Sequence, residues 1–412
     1  MSSYRQVRVL YSFPHRLGAG RICHTAWHQV AGLAAAGAQV TVHAASVQQA
    51  LPHNVDVRPT LSRGRLRIPF RVVGKLRALA IHDYLVARRL EREAGEIDIV
   101  HTWPMAARET LRTAARLGIP TVLERPNAHT RFYYELVRRE CEHLSVTLPR
   151  AHEHAFNAAV VSKEEEEYAL SYRLLCPSEF VVNTFLQQGF PPEKLARHGY
   201  GYDENLYYPA DSLRPQHSGL TMIFVGVCVP AKGLHYALEA WLRSVAHRDG
   251  TFLIAGRFLP AYADRLSSFL SHSSVKVLGH RDDVPVLMRS SDVLVLPSIG
   301  EGFGLVIADA MGSGTVPLVS DACTDICKHM KNALVHRVGD VEALTRHINM
   351  MHENLATRQT LRAGCLQTAP TLTWAAAGKR LLDTYRDVIA AGQAQSAPNP
   401  DPITRTASVR GR

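Results

Sequence analysis

Short apolar runs alternate with amphipathic segments along most of the chain. In the first half, four apolar runs predict β-strands, and the segments between them predict helices. Strands that alternate with helices form βαβ units, so this half predicts a parallel sheet covered on both faces. The predicted strands are residues 6–13, 38–44, 97–103 and 119–124, and the predicted helices are 24–37 and 105–117.

A second series of the same kind begins near residue 220, after a stretch of different character. Its predicted strands are 220–226, 251–256, 275–279, 292–298 and 316–321, and its predicted helices are 234–245, 261–270 and 304–311. A chain of 412 residues is longer than one core usually holds. We therefore predict two doubly wound α/β domains, 1–208 and 209–390, with the last helix packing back on the first domain. The polar, Pro-rich residues 391–412 predict a disordered tail.

Composition places the chain among ordinary globular proteins, with 46% hydrophobic and 20% charged residues. No apolar run approaches the ~20 residues that span a bilayer, and the N-terminus lacks the apolar core of a secretory signal. The seven cysteines have no regular spacing. Cys323 and Cys327 are four apart, but no second pair supports a zinc site. Reduced thiols and a cytoplasmic location are the expectation.

The net charge of +10 arises from 47 basic and 37 acidic residues, and the excess is local. Apolar residues interleave with the basic ones between residues 63 and 92, which suits contact with anionic lipid headgroups. A solvated helix face is the simpler interpretation, and no recognisable nucleic-acid module is present. The basic residues of this stretch are Arg63, Arg65, Arg67, Arg71, Lys75, Arg77, Arg88, Arg89 and Arg92.

The stretch from Glu301 to Asp321, "EGFGLVIADAMGSGTVPLVSD", contains the main candidate chemistry. It follows a predicted strand, and ligands of open α/β sheets bind at the carboxyl ends of strands. Gly302 and Gly304 allow a close backbone approach, and the N–H groups at the following helix start suit a phosphate. Asp309 would accept hydrogen bonds from a sugar hydroxyl, and Glu301 would reach the group beyond the phosphates. The alternative is that Glu301 caps the helix and Asp309 faces water.

This stretch resembles the signature of retaining glycosyltransferases of family 4, which have the GT-B fold of two Rossmann-like domains facing a central cleft. "EGFGL", "AM" and "GTVP" match the family pattern, whereas Asp309 stands where the family usually has Glu. The resemblance implies that Gly302, Phe303, Gly304, Leu305 and Asp309 bind the donor, with Glu301 as a catalytic residue.

The resemblance covers most of the chain. Lys232, in "IFVGVCVPAKGLHYALEAW", matches the lysine that grips the donor diphosphate. The family often has Arg where this chain has Val227, and Arg257 is either a substitute or a surface residue. "SFPHRLGAGRICHTAW" is similar to the family's first glycine-rich loop, which implies that Gly18 and Gly20 approach the donor phosphates or the acceptor.

"PTVLERPNAHTRFYYELVRRE" is similar to a subgroup in which a histidine lies beside the transferred sugar, and His129 matches it. The resemblance thus implies His129 and Lys232, together with Glu301, as the catalytic residues. "GYGYDENLYYP" is similar to the family's linker segment, and "LGHRDD", with His280, lies where the base is expected to bind. The chain has 21 histidines, so most must be structural. Those we assign to structural roles are His24, His28, His101, His152 and His154.

The resemblance implies transfer of a sugar from a UDP- or GDP-type nucleotide sugar to a glycan, lipid-linked or small-molecule acceptor, with retention at the anomeric carbon. No Asp-x-Asp cluster lies where it would bind a metal, so metal-independent transfer without a cofactor is expected, with Lys232 and helix dipoles supplying positive charge. Three alternatives stay open. They are a GT-B sugar-nucleotide epimerase, a phosphorylase, and a catalytically inactive nucleotide-sugar-binding or scaffold protein.

Overall fold

A computed structural model describes residues 6–63, 66–67, 73–210 and 219–396 of the chain. The strands form two parallel sheets, of seven and six strands, and one small antiparallel hairpin. This arrangement confirms the predicted α/β class with two parallel sheets. The strands are β1 (Arg8–Leu17), β2 (Gln39–Val47), β3 (Val55–Val57), β4 (Ser62–Arg63), β5 (Leu66–Arg67), β6 (Ile99–Thr102), β7 (Thr121–Glu124), β8 (Arg173–Cys176), β9 (Leu195–Arg197), β10 (Thr221–Val225), β11 (Thr251–Ala255), β12 (Val275–Gly279), β13 (Val293–Leu296), β14 (Val316–Ser320) and β15 (Leu334–His336).

Helices connect successive strands in both halves of the chain. The predicted helix over 261–270 is divided into two short helices, α8 and α9, and the other predicted helices lie within a few residues of their expected bounds. The α-helices are α1 (Ile22–Ala35), α2 (Lys75–Glu93), α3 (Arg108–Arg116), α4 (Thr130–Leu144), α5 (Ala158–Leu170), α6 (Glu179–Gln187), α7 (Leu234–Arg243), α8 (Pro260–Arg265), α9 (Ser267–Leu270), α10 (Val284–Arg289), α11 (Leu305–Gly312), α12 (Val341–Glu353), α13 (Leu355–Thr368) and α14 (Trp374–Ser396).

The first sheet has the strand order β3-β2-β1-β6-β7-β8-β9. Side chains of β1 alternate between its two faces, as the period of two along a strand requires. Tyr11 and Phe13 pack in a core with α1 and α14, whereas Leu10 packs with Val86 and Leu90 of α2. Helices therefore cover both faces of this sheet, which explains why residues on both faces of β1 are buried.

The second sheet has the order β12-β11-β10-β13-β14-β15 and a core of its own. Strand β10 lies at its centre and pairs in parallel with β11 and β13. The chain adds β11 and β12 on one side of β10 and then crosses back to place β13 on the other side. Open α/β sheets bind ligands at such a reversal of the strand order.

Helix α14 leaves the second half of the chain and packs along α1 of the first half. Leu381, Leu382 and Tyr385 are buried in the core of the first sheet. The helix continues to Ser396, so residues 391–396 are helical and the predicted tail does not begin at 391. The rest of that predicted tail, 397–412, lies outside the described residues.

Candidate active site

The carboxyl ends of β10 and β13 form the centre of the site, because these strands are neighbours in the second sheet. A short turn after β10 ends at Lys232, and a loop after β13 leads to Glu301. The Nζ atom of Lys232 lies 2.5 Å from Oε1 of Glu301. The structure thus joins the two charged residues that the sequence predicted as catalytic.

Glu301 is held on several sides. The Ser298 hydroxyl donates a hydrogen bond of 2.8 Å to the same Oε1 atom, and the backbone N–H of Glu301 donates to the carbonyl of Ala322. The N-terminus of α11 begins at Gly304 and receives no hydrogen bond from a side-chain cap. The described hydrogen bonds to the Glu301 carboxylate come from Lys232 and Ser298 and not from the backbone N–H groups of α11, so Glu301 does not cap this helix. Its carboxylate is fixed in position for Lys232 or for a ligand.

The loop between Glu301 and α11 lies against the first half of the chain. A Cβ atom added at Gly302 would lie 1.7 Å from the carbonyl oxygen of Pro126. The close approach that the sequence predicted at Gly302 is thus made by protein backbone across the cleft. Phe303 packs edge-on against Tyr200 with ring centroids 5.5 Å apart. Gly304 has φ +70°, which favours glycine, and lets the chain turn into α11. Leu305, the first residue of α11, is half-buried against the second core.

Helix α4 joins the two halves of the chain. It follows β7 of the first sheet, yet Val137, Cys141 and Leu144 are buried in the core of the second sheet. These residues are spaced at i, i+4 and i+7, so they form one face of the helix. On the same side, Oε1 of Glu140 lies 2.9 Å from Nε2 of His235 in α7. The position of the first sheet's loops relative to Lys232 is therefore fixed by the packing of α4 in the second core.

His154, to which the sequence assigned a structural role, packs on Tyr133 of α4, the helix that contacts the turn ending at Lys232. It belongs to the loop 145–157 that follows α4, and its ring packs edge-on against Tyr133 with centroids 5.2 Å apart. Burial lowers the pKa of His154 to about 4, and the charges of Lys232 and Glu301 are close enough to act on the same pKa. The imidazole is therefore neutral at pH 7. No motif surrounds it, so no sequence signal could have separated it from the other histidines.

Asp309 faces the segment that links the two halves. The pKa of its carboxyl is raised well above its usual range by burial and by the charge of Asp203. Burial, Glu204 and Asp309 raise the pKa of Tyr202, and burial and Asp309 raise the pKa of Tyr207, so both side chains lie near Asp309. Within the described residues the carboxyl group has no hydrogen bond or ion pair, and it is half-buried. It is thus available to a ligand hydroxyl, at a place partly covered by the linker.

The structure does not bring His129 to the Lys232–Glu301 pair. Its ring is buried among Tyr168, Phe185 and Phe190, with centroid distances of 5.2, 5.1 and 5.7 Å. Its backbone N–H donates to the hydroxyl of Thr184. Burial lowers the pKa of His129 to about 4. In this conformation the ring packs in the first half of the chain, just behind the start of α4.

The remaining predicted residues surround the cleft at greater distance. Gly18 and Gly20 form the turn between β1 and α1, both with positive φ, at the carboxyl edge of the first sheet. His280 follows β12 at the edge of the second sheet, and 60% of its side chain is exposed. Val227 is also exposed, and Arg257 lies next to it because the Cys228 N–H donates to the carbonyl of Arg257. The position at which the family often has Arg, Val227 in this chain, therefore has the exposed Arg257 as its neighbour.

A buried polar cluster that the sequence did not predict links the linker to the first sheet. Glu124, at the end of β7, accepts hydrogen bonds from Gln29 at 2.8 Å and from the hydroxyl of Tyr200 at 2.9 Å. Ring nitrogens of His101 and His198 each lie 3.5 Å from its Oε2 atom. Burial alone would raise the pKa of Glu124, but the two histidine rings and the hydrogen bonds from His198 and Gln29 outweigh burial and lower it. Tyr200, which contacts Phe303, is thereby fixed to the first sheet.

Among the residues that the structure describes, no group of three or more His, Cys, Asp or Glu side chains is arranged to hold a metal ion. No helix in the same part of the chain is long and apolar enough to cross a membrane.

Two protein families match this chain over the residues that build the cleft. Residues 219–354 match the family described as Glycosyl transferases group 1, and residues 24–205 match Glycosyltransferase Family 4. The chain belongs to these glycosyltransferase families. The first match includes Lys232, Glu301 and Asp309, and the second includes His129 and His154.

Several curated glycosyltransferases are similar to this chain over part of its length. A UDP-Gal:alpha-D-GlcNAc-diphosphoundecaprenol alpha-1,3-galactosyltransferase of Escherichia coli is 28% identical over 56% of this chain and 59% of its own. An O-antigen chain mannosyltransferase B of the same species is 27% identical over 40% of this chain and 45% of its own. An N-acetylgalactosaminyltransferase of Campylobacter jejuni is 28% identical over 29% of this chain and 33% of its own. The matches thus span between a third and three fifths of these relatives.

Solved structures of other proteins share the fold of almost the whole chain. HepE from Anabaena in complex with UDP has a TM-score of 0.65, with 17% identity over 92% of this chain and all of that one. Sucrose-phosphate synthase from Thermosynechococcus elongatus has a TM-score of 0.67, with 18% identity over 94% of this chain and all of that one. The fold is GT-B, as the sequence resemblance implied.

Proposed function

We propose that the protein transfers a sugar, with retention at the anomeric carbon, from a UDP- or GDP-type nucleotide sugar to a glycan or lipid-linked acceptor. The single observation that supports this most is the Lys232–Glu301 pair at the reversal point of the second sheet, beside the N-terminus of α11. A cation, a carboxylate and free backbone N–H groups meet there, and these groups suit a diphosphate and the sugar attached to it.

In the proposed reaction the acceptor hydroxyl attacks the anomeric carbon from the face that the diphosphate leaves. The bond from that carbon to the phosphate oxygen breaks, a bond to the acceptor oxygen forms, and the departing phosphate takes the acceptor's proton. Lys232 stabilises the charge that develops on the phosphate. Glu301 stabilises positive charge on the sugar and orients its hydroxyls. His154 would contact the transferred sugar or the acceptor from the first half of the chain, because its ring packs on Tyr133 of the helix that contacts the Lys232 turn.

The other donor contacts are proposed on the resemblance and on their place in the cleft. Asp309 would bind the ribose hydroxyls with its otherwise unpaired carboxyl group, and His280 would lie near the base. Gly18 and Gly20 would approach the phosphates or the acceptor from the first sheet. His129 would act on the sugar only after a rearrangement, because its ring is packed away from the cleft. The first half, 1–208, would thus be the acceptor side and 209–390 the donor side.

Lipid-linked acceptors are supported by the names of relatives, one of which specifies a diphosphoundecaprenol substrate. Helix α2 offers a surface for peripheral contact with anionic lipid. Leu76, Ile81 and Tyr84 are exposed on it by 60%, 38% and 57%. Arg77 and Arg88 are exposed on the same side. The side chains of Arg63 and Arg67 are not described, and Arg65 and Arg71 lie outside the described residues.

The experiment is release of nucleotide from a panel of UDP- and GDP-sugars, with and without acceptor glycosides. We expect turnover of at least one donor and its loss by about 10²-fold or more in Glu301→Gln, which removes the charge and keeps the shape. Glu353→Gln, an exposed acid on α12, is the matched control and should be unchanged. Binding of a donor without turnover by the unmodified protein would instead support an inactive nucleotide-sugar-binding protein.

A further inference from the structure

A cavity of about 250 Å³ lies between the first turn of α4, the end of the loop 145–157 and the N-terminal part of α5. Helix α4 leaves the carboxyl end of β7, and α5 runs back toward the start of β8, so both helices begin at the carboxyl edge of the first sheet. That edge faces the cleft, which is where open sheets bind ligands. The cavity is lined by Arg131, Phe156, Ala158, Val161, Ser162 and Glu165.

The lining has the groups that recognise a sugar ring. Phe156 is 66% exposed, the highest value for any large apolar side chain in the part of the chain that the structure describes. Its ring is supported from the side by Tyr134, with centroids 5.7 Å apart at 70°. Arg131 and Glu165 form a bidentate ion pair, with bonds of 2.8 and 2.7 Å, that fixes both side chains at the rim. An aromatic face beside charged groups and the Ser162 hydroxyl can bind the C–H face and the hydroxyls of one sugar together.

The cavity is connected to the proposed reaction centre by the loop 145–157. His154 of this loop packs on Tyr133 of α4, the helix that contacts the turn ending at Lys232, and Phe156 is two residues further along. The Cα atoms of His154 and Phe156 are at most about 7 Å apart, so the cavity opens on the part of the loop that approaches Lys232. Its volume is below the roughly 300–1,000 Å³ typical of pockets for drug-sized ligands, and it suits a single ring.

We propose that this cavity binds a sugar ring of a carbohydrate acceptor, with Phe156 stacked on the ring and the Arg131–Glu165 pair bound to its hydroxyls. The proposal rests on the proposed transfer reaction, in which the C-terminal half binds the donor and the opposite side of the cleft binds the acceptor. Phe156 is then a residue that determines acceptor specificity, and its exposure is explained by its ligand.

The test uses the full chain and octyl glycosides of glucose, galactose, mannose and N-acetylglucosamine as probes. Binding is measured by saturation-transfer NMR, and acceptor KM is measured with whichever nucleotide sugar the protein turns over. Phe156→Ala should weaken binding of the preferred glycoside and raise its KM about three- to tenfold, the range expected for loss of an aromatic contact. Phe156→Tyr should restore both. Leu355→Ala, an exposed apolar control in the C-terminal half, should change neither.

Donor hydrolysis without acceptor separates this proposal from the proposed function. In Phe156→Ala it should equal that of the unmodified protein, because Phe156 does not contact the donor. If the protein turns over no donor but binds a glycoside in a way that depends on Phe156, the proposed subsite stands and the proposed transfer reaction is rejected. Absence of glycoside binding to the unmodified protein, or the same acceptor affinity in Phe156→Ala, would overturn the subsite. A parallel fall in donor hydrolysis would overturn it as well.

Discussion

Replacement of Gly302 by alanine perturbs the contact between the two halves of the chain at the site itself. The new Cβ atom would lie 1.7 Å from the carbonyl oxygen of Pro126, and real Cβ contacts are not shorter than 3.0 Å. The loop and the first half must therefore separate by at least about 1.3 Å. Overpacking of this kind costs about 1–3 kcal/mol. A displacement of about 1 Å between reacting groups can lower the rate by about 10²-fold.

We expect Gly302→Ala to lower kcat/KM for transfer by about 10²-fold, with affinity for the free nucleotide diphosphate kept within a few-fold. The nucleotide contacts the C-terminal half, whereas the displaced contact is to the first half. The assays are steady-state kinetics, calorimetry with UDP and GDP, and the thermal midpoint. Gly95→Ala is the control, because a Cβ atom there has nothing within 4 Å. Unchanged kcat/KM and thermal midpoint in Gly302→Ala would refute the contact with Pro126 as a feature of the active protein.

Three further predictions follow from buried groups. Asp309→Ala should weaken donor binding by roughly 1–3 kcal/mol in calorimetry, and it should weaken binding of the 2'-deoxyribose analogue by less, because that analogue keeps only one of the two hydroxyls. If Asp309→Ala binds both donors as tightly as the unmodified protein does, the ribose contact is rejected. His154→Ala should lower kcat by about 10²-fold and leave nucleotide affinity unchanged, whereas a parallel loss of affinity would make its role structural. Burial lowers the pKa of His82 and His101 to about 3, so below about pH 6.5 the unfolded chain binds more protons than the native one. The free energy of unfolding in urea should then fall as pH falls from 6.5 to 5, by up to about 1.4 kcal/mol per pH unit for each ring. Burial raises the pKa of Glu167 to about 7, so this group has the opposite effect on stability and offsets one histidine ring. A free energy of unfolding that does not change between pH 6.5 and 5 would contradict the burial of these histidines.

The sequence predicted the centre of each sheet and the order of its elements, because buried parallel strands are continuous apolar runs. It did not predict the short strands β8, β9 and β15. Strand β9 has no fully buried residue, and β15 has three residues, so neither has a clear pattern. The motif around Glu301 was readable because its residues are adjacent in sequence.

The surroundings of that motif were not readable. His154 packs on the helix that contacts the Lys232 turn only because α4 crosses between the halves of the chain, and that crossing depends on packing between residues far apart in sequence. His129 shows the converse: its motif suggested a position at the sugar, and the aromatic side chains of α5 and α6 enclose its ring instead. Local sequence identifies such residues, and tertiary packing decides which of them reach the cleft.

The most direct test of the central claim is the affinity of the protein for UDP and GDP and for the matching nucleosides, measured by calorimetry in the unmodified protein, Lys232→Ala and Lys276→Ala. Lys276, exposed on β12 of the same sheet, is the matched control. If Lys232 binds the diphosphate, its loss should weaken the preferred nucleotide by about 1.5–3 kcal/mol, roughly 10- to 150-fold, and leave the nucleoside unchanged. Equal binding of the nucleotide by Lys232→Ala and the unmodified protein would contradict the assignment of the Lys232–Glu301 pair as the donor site.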